Sequence, residues 1–221
     1  MQKNSDAAVL LTPEDISSHP VYLFVKRVTD LFVSALVLVI LFVPALLLCL
    51  AIRLDSPGSP LFKQQRVGKN GVPFVLYKFR SMPVDFDVNE HKKYVSQFIN
   101  NQRGGEIFAH MPQRRITRIG RFIRKTSIDE LPQLINVFKG DMSLVGPRPP
   151  IDYEVENYSA FQRQRILVKP GLTGYWQVHG RARVSFDDMV KMDVFYIRNR
   201  SLWMDLVLLL QTPYATIRGA G

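Results

Sequence analysis

Two adjacent carboxylates, Asp129 and Glu130, stand where the sequence predicts the start of a helix. The positive end of a helix lowers the pKa of a carboxylate and attracts phosphate groups. An ionised carboxylate in that position can act as a nucleophile or as a metal ligand. Helix capping is the competing interpretation, because Ser127 and Glu130 match the S-x-x-E capping box. For the pair considered alone, the frequency of such caps favours capping.

Basic side chains lie close to this pair in the sequence. Arg124 precedes it, and Arg148 follows within SLVGPRPP, where a proline on each side makes the backbone rigid. Lys78 and Arg80 alternate along a predicted strand and therefore share one face. Guanidinium and ammonium groups bind phosphate oxygens, so these four residues are candidate phosphate-binding residues. An exposed polar strand face is the alternative for Lys78 and Arg80.

Motifs for common cofactors are absent from the sequence. It contains no Walker loop, no dinucleotide glycine fingerprint, no HExxH and no CxxC. The four histidines lack ligand spacing, which argues against a zinc enzyme. Trp176 and Arg181 are candidate nucleotide-binding residues, because an indole ring can stack on a base. Core packing is the alternative for Trp176.

Short helices and one strand are predicted around these candidates. Apolar residues recur at helical spacing from residue 131 to residue 138, which predicts a helix that begins at about residue 128 or 129 and ends before Gly140. Its core-facing stripe is Leu131, Leu134, Ile135 and Phe138. The β-branched and aromatic run 74–79 is typical of a strand. Further helices are predicted over 152–167 and within 85–113.

Residues 114–125, RRITRIGRFIRK, predict a basic amphipathic helix. Its basic face is Arg114, Arg118, Arg121 and Lys125, opposite Ile116, Ile119 and Ile123. A solvated helix face and a face that binds an anionic surface are both compatible with this pattern. Residues 202–210 are apolar around Asp205 and too short to cross a membrane, so they are predicted to be core or interfacial.

The run 31–52 contains no charge and, as a helix of about 33 Å, is long enough to cross a bilayer. Pro44 removes a backbone donor within it and predicts a kink. Basic residues flank both ends, which places both flanks on the cytoplasmic side by the positive-inside rule. A re-entrant helix satisfies that rule, whereas a true span with the N-terminus outside is the alternative.

Length and composition bound the remaining possibilities. A chain of 221 residues predicts one core with appendages. The 29 Lys and Arg residues against 19 Asp and Glu give a formal charge of +10, which favours anionic partners. Cys49 is the single cysteine, so no intrachain disulfide can form.

Four ordered blocks of the sequence carry a resemblance to a known family. They are Lys26-Arg27-x-x-Asp30-x-x-x-Ser34, FKQQRVGKNGVPFVLYKFRSM at 62–82, RKTSIDELPQLINVFKGDMSLVGPRPP at 124–150 and KPGLTGYWQVHGR at 169–181. Together they resemble the monotopic phosphoglycosyl transferases, bacterial sugar transferases that begin capsule, O-antigen and protein-glycan assembly. The resemblance covers roughly residues 24 to 218. One departure is Val43-Pro44, where many members have Ser-Pro.

The resemblance implies a helix-dominated α+β fold, membrane-associated and monotopic, with an N-terminal re-entrant membrane helix kinked at Pro44 and interfacial amphipathic helices. The expected organisation is a polar lead-in over 1–19, the re-entrant helix over 20–54 and a catalytic sugar-transferase domain over 55–221. The expected location is the bacterial inner membrane, with the catalytic domain on the cytoplasmic face.

The implied reaction moves a sugar 1-phosphate from a UDP-sugar to undecaprenyl phosphate and releases UMP. Asp129 would attack the phosphate that bears the sugar, and polyprenyl phosphate would then attack the resulting aspartyl-phosphosugar. Asp129 and Glu130 would hold Mg²⁺, which neutralises the diphosphate. Glu130 is compatible with the roles of base, metal ligand and positioning group.

The expected partners are therefore a UDP-sugar, undecaprenyl phosphate and inner-membrane lipids, without nucleic acid, and a homo-oligomer is compatible with them. UDP-glucose, UDP-galactose and modified N-acetyl sugars are all compatible donors. The alternative from another functional class is a membrane-tethered basic binding protein without catalysis.

Overall fold

A computed structural model describes residues 10–16, 20–82, 96, 116–180 and 184–218. Helices dominate it. In chain order they are α1 Pro13–Ile16, α2 Pro20–Ile40, α3 Phe42–Asp55, α4 Arg118–Lys125, α5 Gln133–Lys139, α6 Asp152–Glu156, α7 Tyr175–His179, α8 Phe186–Asn199 and α9 Leu202–Arg218. Short 3-10 helices are Lys69–Gly71, Ile128–Glu130 and Gln162–Ile166. The helix predicted within 85–113, together with Arg114 and Arg181, falls outside the described residues, apart from the single residue 96.

Two small sheets complete the described part of the chain. Their strands are β1 Leu61–Val67, β2 Pro73–Phe79, β3 Ser143–Val145 and β4 Gly171–Thr173. β1 and β2 form an antiparallel hairpin in which Leu61 faces Phe79, and β3 and β4 pair in parallel. The hairpin turn uses the left-handed backbone of Asn70, with φ 57°, and of Gly71, with φ 82°. The strand predicted at 74–79 is therefore confirmed, and the described fold is α+β with helices dominating.

The apolar run forms two helices, α2 and α3, that meet at a bend of 61°. The break lies at Leu41, and Pro44 occupies the first turn of α3, where its ring offers no N–H to the carbonyl of Ile40. The predicted bend is thus confirmed. No single helix among the described residues is long and apolar enough for a membrane span, but α2 and α3 together have the necessary length and composition.

Large apolar side chains on the two sides of this bend are exposed. They are Leu36, Val39, Ile40, Phe42, Val43, Leu46, Leu47 and Leu50. An exposed apolar patch of this extent marks a contact surface rather than an ordinary solvated face.

The N-terminal half of α2 is fastened to the rest of the protein by polar contacts. Arg27 donates hydrogen bonds of 2.7 and 2.8 Å to two carbonyls at the end of α5. Lys26 forms an ion pair with Asp205 of α9, with 2.7 Å between Nζ and Oδ2. The buried carboxylate of Asp30 accepts a 2.9 Å hydrogen bond from the backbone N–H of Leu144. The bent pair therefore has a fixed base and an exposed apolar tip.

The helix predicted to begin at residue 128 or 129 begins later than expected. Residues 128–130 form a single 3-10 turn, Pro132 occupies the N-cap position, and α5 starts at Gln133. Proline cannot donate within a helix and is best tolerated at its start, so Pro132 sets the boundary.

The predicted core stripe of α5 is only partly correct. Leu134 is buried, whereas Ile135 and Phe138 are 36% and 48% exposed. The buried face includes Asn136, whose side chain donates to the carbonyl of Val75 at 2.7 Å and accepts from the N–H of Tyr77 at 3.2 Å. These contacts satisfy backbone groups of β2, so Asn136 lies on the buried face of α5. The buried face of the helix therefore differs from the predicted stripe.

Three other predicted elements have mixed outcomes. The helix predicted over 152–167 is wrong as one element, because α6 ends at Glu156 and a 3-10 turn follows at Gln162–Ile166. Arg165 in that turn points inward and pairs with Asp193 at 2.6 Å. The amphipathic helix is confirmed in its described part as α4, with Ile123 fully buried. The stretch 202–210 lies in α9, which buries Asp205 and exposes several apolar residues.

Candidate active site

The two candidate carboxylates lie on the 3-10 turn that follows α4. Ser127 precedes this turn with a left-handed backbone, φ 55°, and its side chain makes no capping hydrogen bond. The backbone N–H of Glu130 donates to the carbonyl of Ser127 at 3.1 Å, which closes the turn. The Glu130 side chain bonds elsewhere, so the capping box is not formed. These carboxylates are thereby available for other contacts.

Glu130 is held by two cations that come from distant parts of the chain. Its Oε1 lies 2.6 Å from Nζ of Lys78 on β2 and 3.9 Å from Nη1 of Arg148 in the loop after β3. Burial alone would raise the pKa of Glu130, but Lys78 and Arg148 outweigh it and lower that pKa to about 2. Glu130 is therefore a fixed anion at neutral pH.

The pKa of Asp129 is shifted in the opposite direction to that of Glu130. Burial raises its pKa to about 6, with Lys78 opposing this rise and the neighbouring Glu130 charge adding to it. Arg124 also lowers the pKa of Asp129 without cancelling the effect of burial. The lowered pKa predicted from a helix start is therefore wrong for Asp129, and the lowered pKa of Glu130 comes from Lys78 and Arg148 instead of a helix end. An ionised carboxylate with little stabilising contact is suited to attack an electrophile.

A small cleft opens beside Glu130. Its walls come from β1, β2, the 3-10 turn at 128–130, the start of α5, the loop after β3, the start of β4 and α7. The lining residues are Arg66, Leu76, Lys78, Glu130, Gln133, Arg148, Pro149, Gly171, Leu172 and Gln177. The structure therefore brings Lys78, Glu130 and Arg148 together and adds Arg66, whereas Asp129 and Arg124 are not among the residues that line this cleft. Arg66 follows the apolar run in the sequence, and no role in phosphate binding was predicted for it.

Close backbone contact between two loops fixes the position of Arg148. Gly146 donates its N–H to the carbonyl of Thr173 at 2.9 Å, and Gly171 donates to the carbonyl of Pro147 at 2.8 Å. A Cβ atom on Gly171 would lie 2.0 Å from the backbone nitrogen of Gly146, so no other residue type fits there without backbone movement. The rigid loop carries Arg148 to the cleft.

The structure does not bring Arg80 to the two carboxylates. Its buried guanidinium donates to the carbonyls of Ile52, Ser56 and Pro57, at 3.3, 2.6 and 2.5 Å. These carbonyls lie at and just beyond the C-terminal end of α3, where the helix dipole favours a cation. The sequence suggested Arg80 because it shares a strand face with Lys78, but the strand ends at Phe79 and the side chain turns to α3.

The two candidate nucleotide-binding residues are not both described. Trp176 is buried in an apolar cluster with Tyr158 and Phe186, which agrees with the core-packing alternative. Arg181 lies outside the described residues.

The described residues contain no cluster of three or more His, Cys, Asp or Glu side chains that could hold a metal ion. Asp129 and Glu130 offer carboxylate oxygens, and Glu130 already pairs with Lys78. Mg²⁺ is commonly held by one or two carboxylates together with substrate phosphates and water. The donor set thus fits a Mg²⁺ ion that arrives with a phosphorylated substrate better than one held by the protein alone.

Comparison with known proteins gives consistent matches. A sequence profile of the family described as bacterial sugar transferase matches residues 21–219. Galactosyl transferase CpsE of Streptococcus agalactiae is 46% identical over 201 residues, 90% of this chain and 44% of that protein. Undecaprenyl-phosphate galactose phosphotransferase of Salmonella typhimurium is 41% identical over 199 residues, 90% of this chain and 41% of that protein.

This chain covers a larger share of a third relative. UDP-glucose:undecaprenyl-phosphate glucose-1-phosphate transferase of Caulobacter vibrioides is 44% identical over 196 residues, which are 85% of this chain and 67% of that protein. The chain thus spans less than half the length of the first two relatives and about two thirds of the third.

Proposed function

The chain belongs to the bacterial sugar transferase family, and from this membership we propose that it transfers a sugar 1-phosphate from a UDP-sugar to undecaprenyl phosphate and releases UMP. Three relatives, two named as undecaprenyl-phosphate sugar transferases and one as a galactosyl transferase, match most of this chain. The observation that carries the proposal is the placement of two adjacent carboxylates, Asp129 and Glu130, on one turn, with Lys78 2.6 Å and Arg148 3.9 Å from Glu130. The product would begin the assembly of a cell-surface polysaccharide or glycoconjugate.

Asp129 is the proposed nucleophile. With a pKa of about 6 it is largely ionised at neutral pH, and its oxygen can attack the donor phosphorus that bears the sugar. A bond forms between this oxygen and phosphorus while the phosphorus–oxygen bond to UMP breaks, so UMP leaves with the electron pair. A phosphate oxygen of undecaprenyl phosphate then attacks the same phosphorus and displaces Asp129. The carboxylate is regenerated and the lipid carries the sugar through a diphosphate.

Glu130 and the cations around it are proposed to position the diphosphate. Lys78 and Arg148 lie 2.6 and 3.9 Å from Glu130 and face the same cleft, so phosphate oxygens entering it would meet both charges. Arg124 also stabilises the ionised form of Asp129. Asp129 and Glu130 would hold Mg²⁺ that enters with the donor and neutralises the leaving diphosphate oxygen. Preorganised charge of this kind lowers the barrier because it needs no rearrangement during the reaction.

We propose that α2 and α3 form a re-entrant membrane helix and that the enzyme lies on the cytoplasmic face of the bacterial inner membrane. The support is the 61° bend, the exposed apolar tip and the positive charge on both flanks. In this arrangement residues 20–54 are the membrane segment and 55–221 the catalytic domain. The exposed apolar side chains of α9, among them Trp203 and Leu210, would lie at the interface. A lipid-linked acceptor could then reach the site without leaving the membrane.

The test is UMP release by the detergent-solubilised protein with Mg²⁺, undecaprenyl phosphate and a panel of UDP-sugars. The native chain is compared with Asp129→Asn and with Glu156→Gln, an exposed carboxylate at the end of α6 that serves as a matched control. We expect one or more sugars to support release, Asp129→Asn to abolish it and Glu156→Gln to leave it unchanged. Release that persists in Asp129→Asn would refute Asp129 as nucleophile. No release with any sugar would favour the membrane-tethered binding protein.

A further inference from the structure

Arg66 is one of three arginines that are buried among the described residues; the other two are Arg80 and Arg165. Removing a guanidinium from water is costly unless an anion or an oriented dipole compensates its charge. Arg165 has such a partner, because Asp193 lies 2.6 Å from its Nε. Arg80 also has one, because it donates to carbonyls at the C-terminal end of α3.

Arg66 lacks an ion-pair partner among the described residues, and the charges of Glu154 and Glu130 act on it only from a longer distance. Its Nη1 donates to the carbonyl of Pro149 at 2.9 Å, while Nε and Nη2 donate to Oε1 of Gln64 at 3.1 and 2.7 Å. Both acceptors are neutral, and no carboxylate of the described residues lies within 4.0 Å of its nitrogens. Burial, followed by the nearby charge of Arg148, lowers the pKa of Arg66 to about 10, and the charges of Glu154 and Glu130 oppose this shift without cancelling it.

The guanidinium of Arg66 also has N–H groups that make no hydrogen bond within the described part of the chain. An arginine has five N–H donors, and the contacts with Gln64 and Pro149 occupy three of them. Within the described part of the chain, this leaves one N–H on Nη1 and one on Nη2. Arg66 lines the cleft together with Lys78, Arg148 and Glu130. These four side chains carry three positive charges and one negative charge, which leaves a net charge of +2 in the cleft.

We propose that Arg66 is a further substrate-binding residue that holds a phosphate group in this cleft through its remaining N–H groups. This inference rests on the proposed function and adds a residue to it. A phosphate would supply the missing anion and accept both N–H groups in the fork geometry that a guanidinium prefers. Arg66 has a second effect, because its hydrogen bond to Pro149 fixes the backbone next to Arg148.

The phosphate has two possible sources, the diphosphate of the donor and the phosphate of the lipid acceptor, and kinetics separates them. Arg66→Met, Arg66→Lys and the native chain are compared for KM toward the UDP-sugar, KM toward undecaprenyl phosphate and kcat. Arg163→Met is the control, since Arg163 is an exposed arginine on the turn Gln162–Ile166. A donor contact raises KM for the UDP-sugar selectively, and an acceptor contact raises KM for the lipid selectively.

Binding of inorganic pyrophosphate, measured by calorimetry on the same proteins, gives a readout that does not depend on catalysis. We expect Kd to weaken about ten- to a hundredfold in Arg66→Met, the range for loss of a charged hydrogen bond, and to be unchanged in Arg163→Met. Near-UV circular dichroism reports whether each variant is folded. If Arg66→Met is unfolded, Arg66→Lys decides, because an ammonium cannot serve Gln64, Pro149 and a phosphate fork together.

Unchanged pyrophosphate affinity in folded Arg66→Met, or in Arg66→Lys where only that variant folds, would overturn the assignment of Arg66. That result would leave the proposed function intact as long as the native chain releases UMP. Conversely, Arg66-dependent pyrophosphate binding by a native chain that releases no UMP would support the phosphate site and contradict the proposed reaction.

Discussion

Replacing each carboxylate of the site by its amide should change stability in opposite directions. The pKa of Asp129 is raised from 3.8 to about 6, so its ionised form is less stable in the folded protein than in the unfolded chain. The pKa of Glu130 is lowered from 4.5 to about 2, so its ionised form is more stable in the folded protein. At pH 8 we therefore expect Asp129→Asn to stabilise the protein and Glu130→Gln to destabilise it.

The magnitudes follow from these pKa differences. A difference of about 2 for Asp129 corresponds to roughly 3 kcal/mol, reduced to about 2 kcal/mol because the side chain keeps some contact with solvent. The difference of about 2.5 for Glu130, which already includes the ion pair with Lys78, corresponds to roughly 3 kcal/mol. For a chain of this size the expected changes in Tm are roughly +4 to +8 °C and −6 to −12 °C.

The pH dependence gives a second test of the same reasoning. Between pH 4 and 6 the folded protein holds the Asp129 proton more tightly than the unfolded chain, so the gain in Asp129→Asn should be full above pH 6 and vanish near pH 4. The loss in Glu130→Gln should be full above pH 4.5 and fade only as the pH falls toward 2.

Thermal unfolding in detergent at pH 8 and at pH 4 measures both effects. Glu156→Gln provides the control, with an expected change within about 0.5 kcal/mol at either pH, since its side chain is exposed. A lower Tm for Asp129→Asn at pH 8, or a gain of equal size at pH 8 and pH 4, would refute the assignment of a destabilised anion to Asp129.

Three further predictions concern the reaction and the base of α2. In the pH profile of kcat/KM, which reports the free enzyme before the donor and Mg²⁺ bind, UMP release should fall on the acid side with an apparent pKa of about 6. Because Lys78 stabilises both carboxylates in their ionised forms, Lys78→Met should move this fall to higher pH and lower kcat about ten- to a hundredfold; an unmoved acid limb would contradict this. Chelation with EDTA should stop UMP release and added Mg²⁺ should restore it; full activity in EDTA would exclude the metal. Lys26→Met leaves buried Asp205 without its cation and should lower the free energy of unfolding by about 3–5 kcal/mol, measured as a drop in Tm. Lys125→Met, at an exposed lysine, is the control, and a similar drop in that variant would contradict the reasoning.

Much of the fold was predictable because it depends on neighbours in the sequence. The charge-free run and Pro44 predicted a bent apolar helix, since a proline removes a hydrogen bond one turn earlier whatever surrounds it. Alternating β-branched and aromatic residues predicted β2, and the basic face of α4 followed from its helical period. The start of α5 was missed because a proline can lie at several positions near a helix start, and the boundary was placed four or five residues too early.

The sequence by itself determined which residues were able to do the chemistry: the adjacent carboxylates, and the lysine and arginines that could meet phosphate. Tertiary structure decided which of them meet. Lys78 and Glu130 are 52 positions apart and come within 2.6 Å only because β2 packs beside the 3-10 turn. Arg80, two residues further along the chain, donates instead to carbonyls at the end of α3. Arg66, in contrast, lines the cleft. Burial and charge act over a few ångströms, so the electrostatic character of each carboxylate is fixed by neighbours in space that sequence spacing does not reveal.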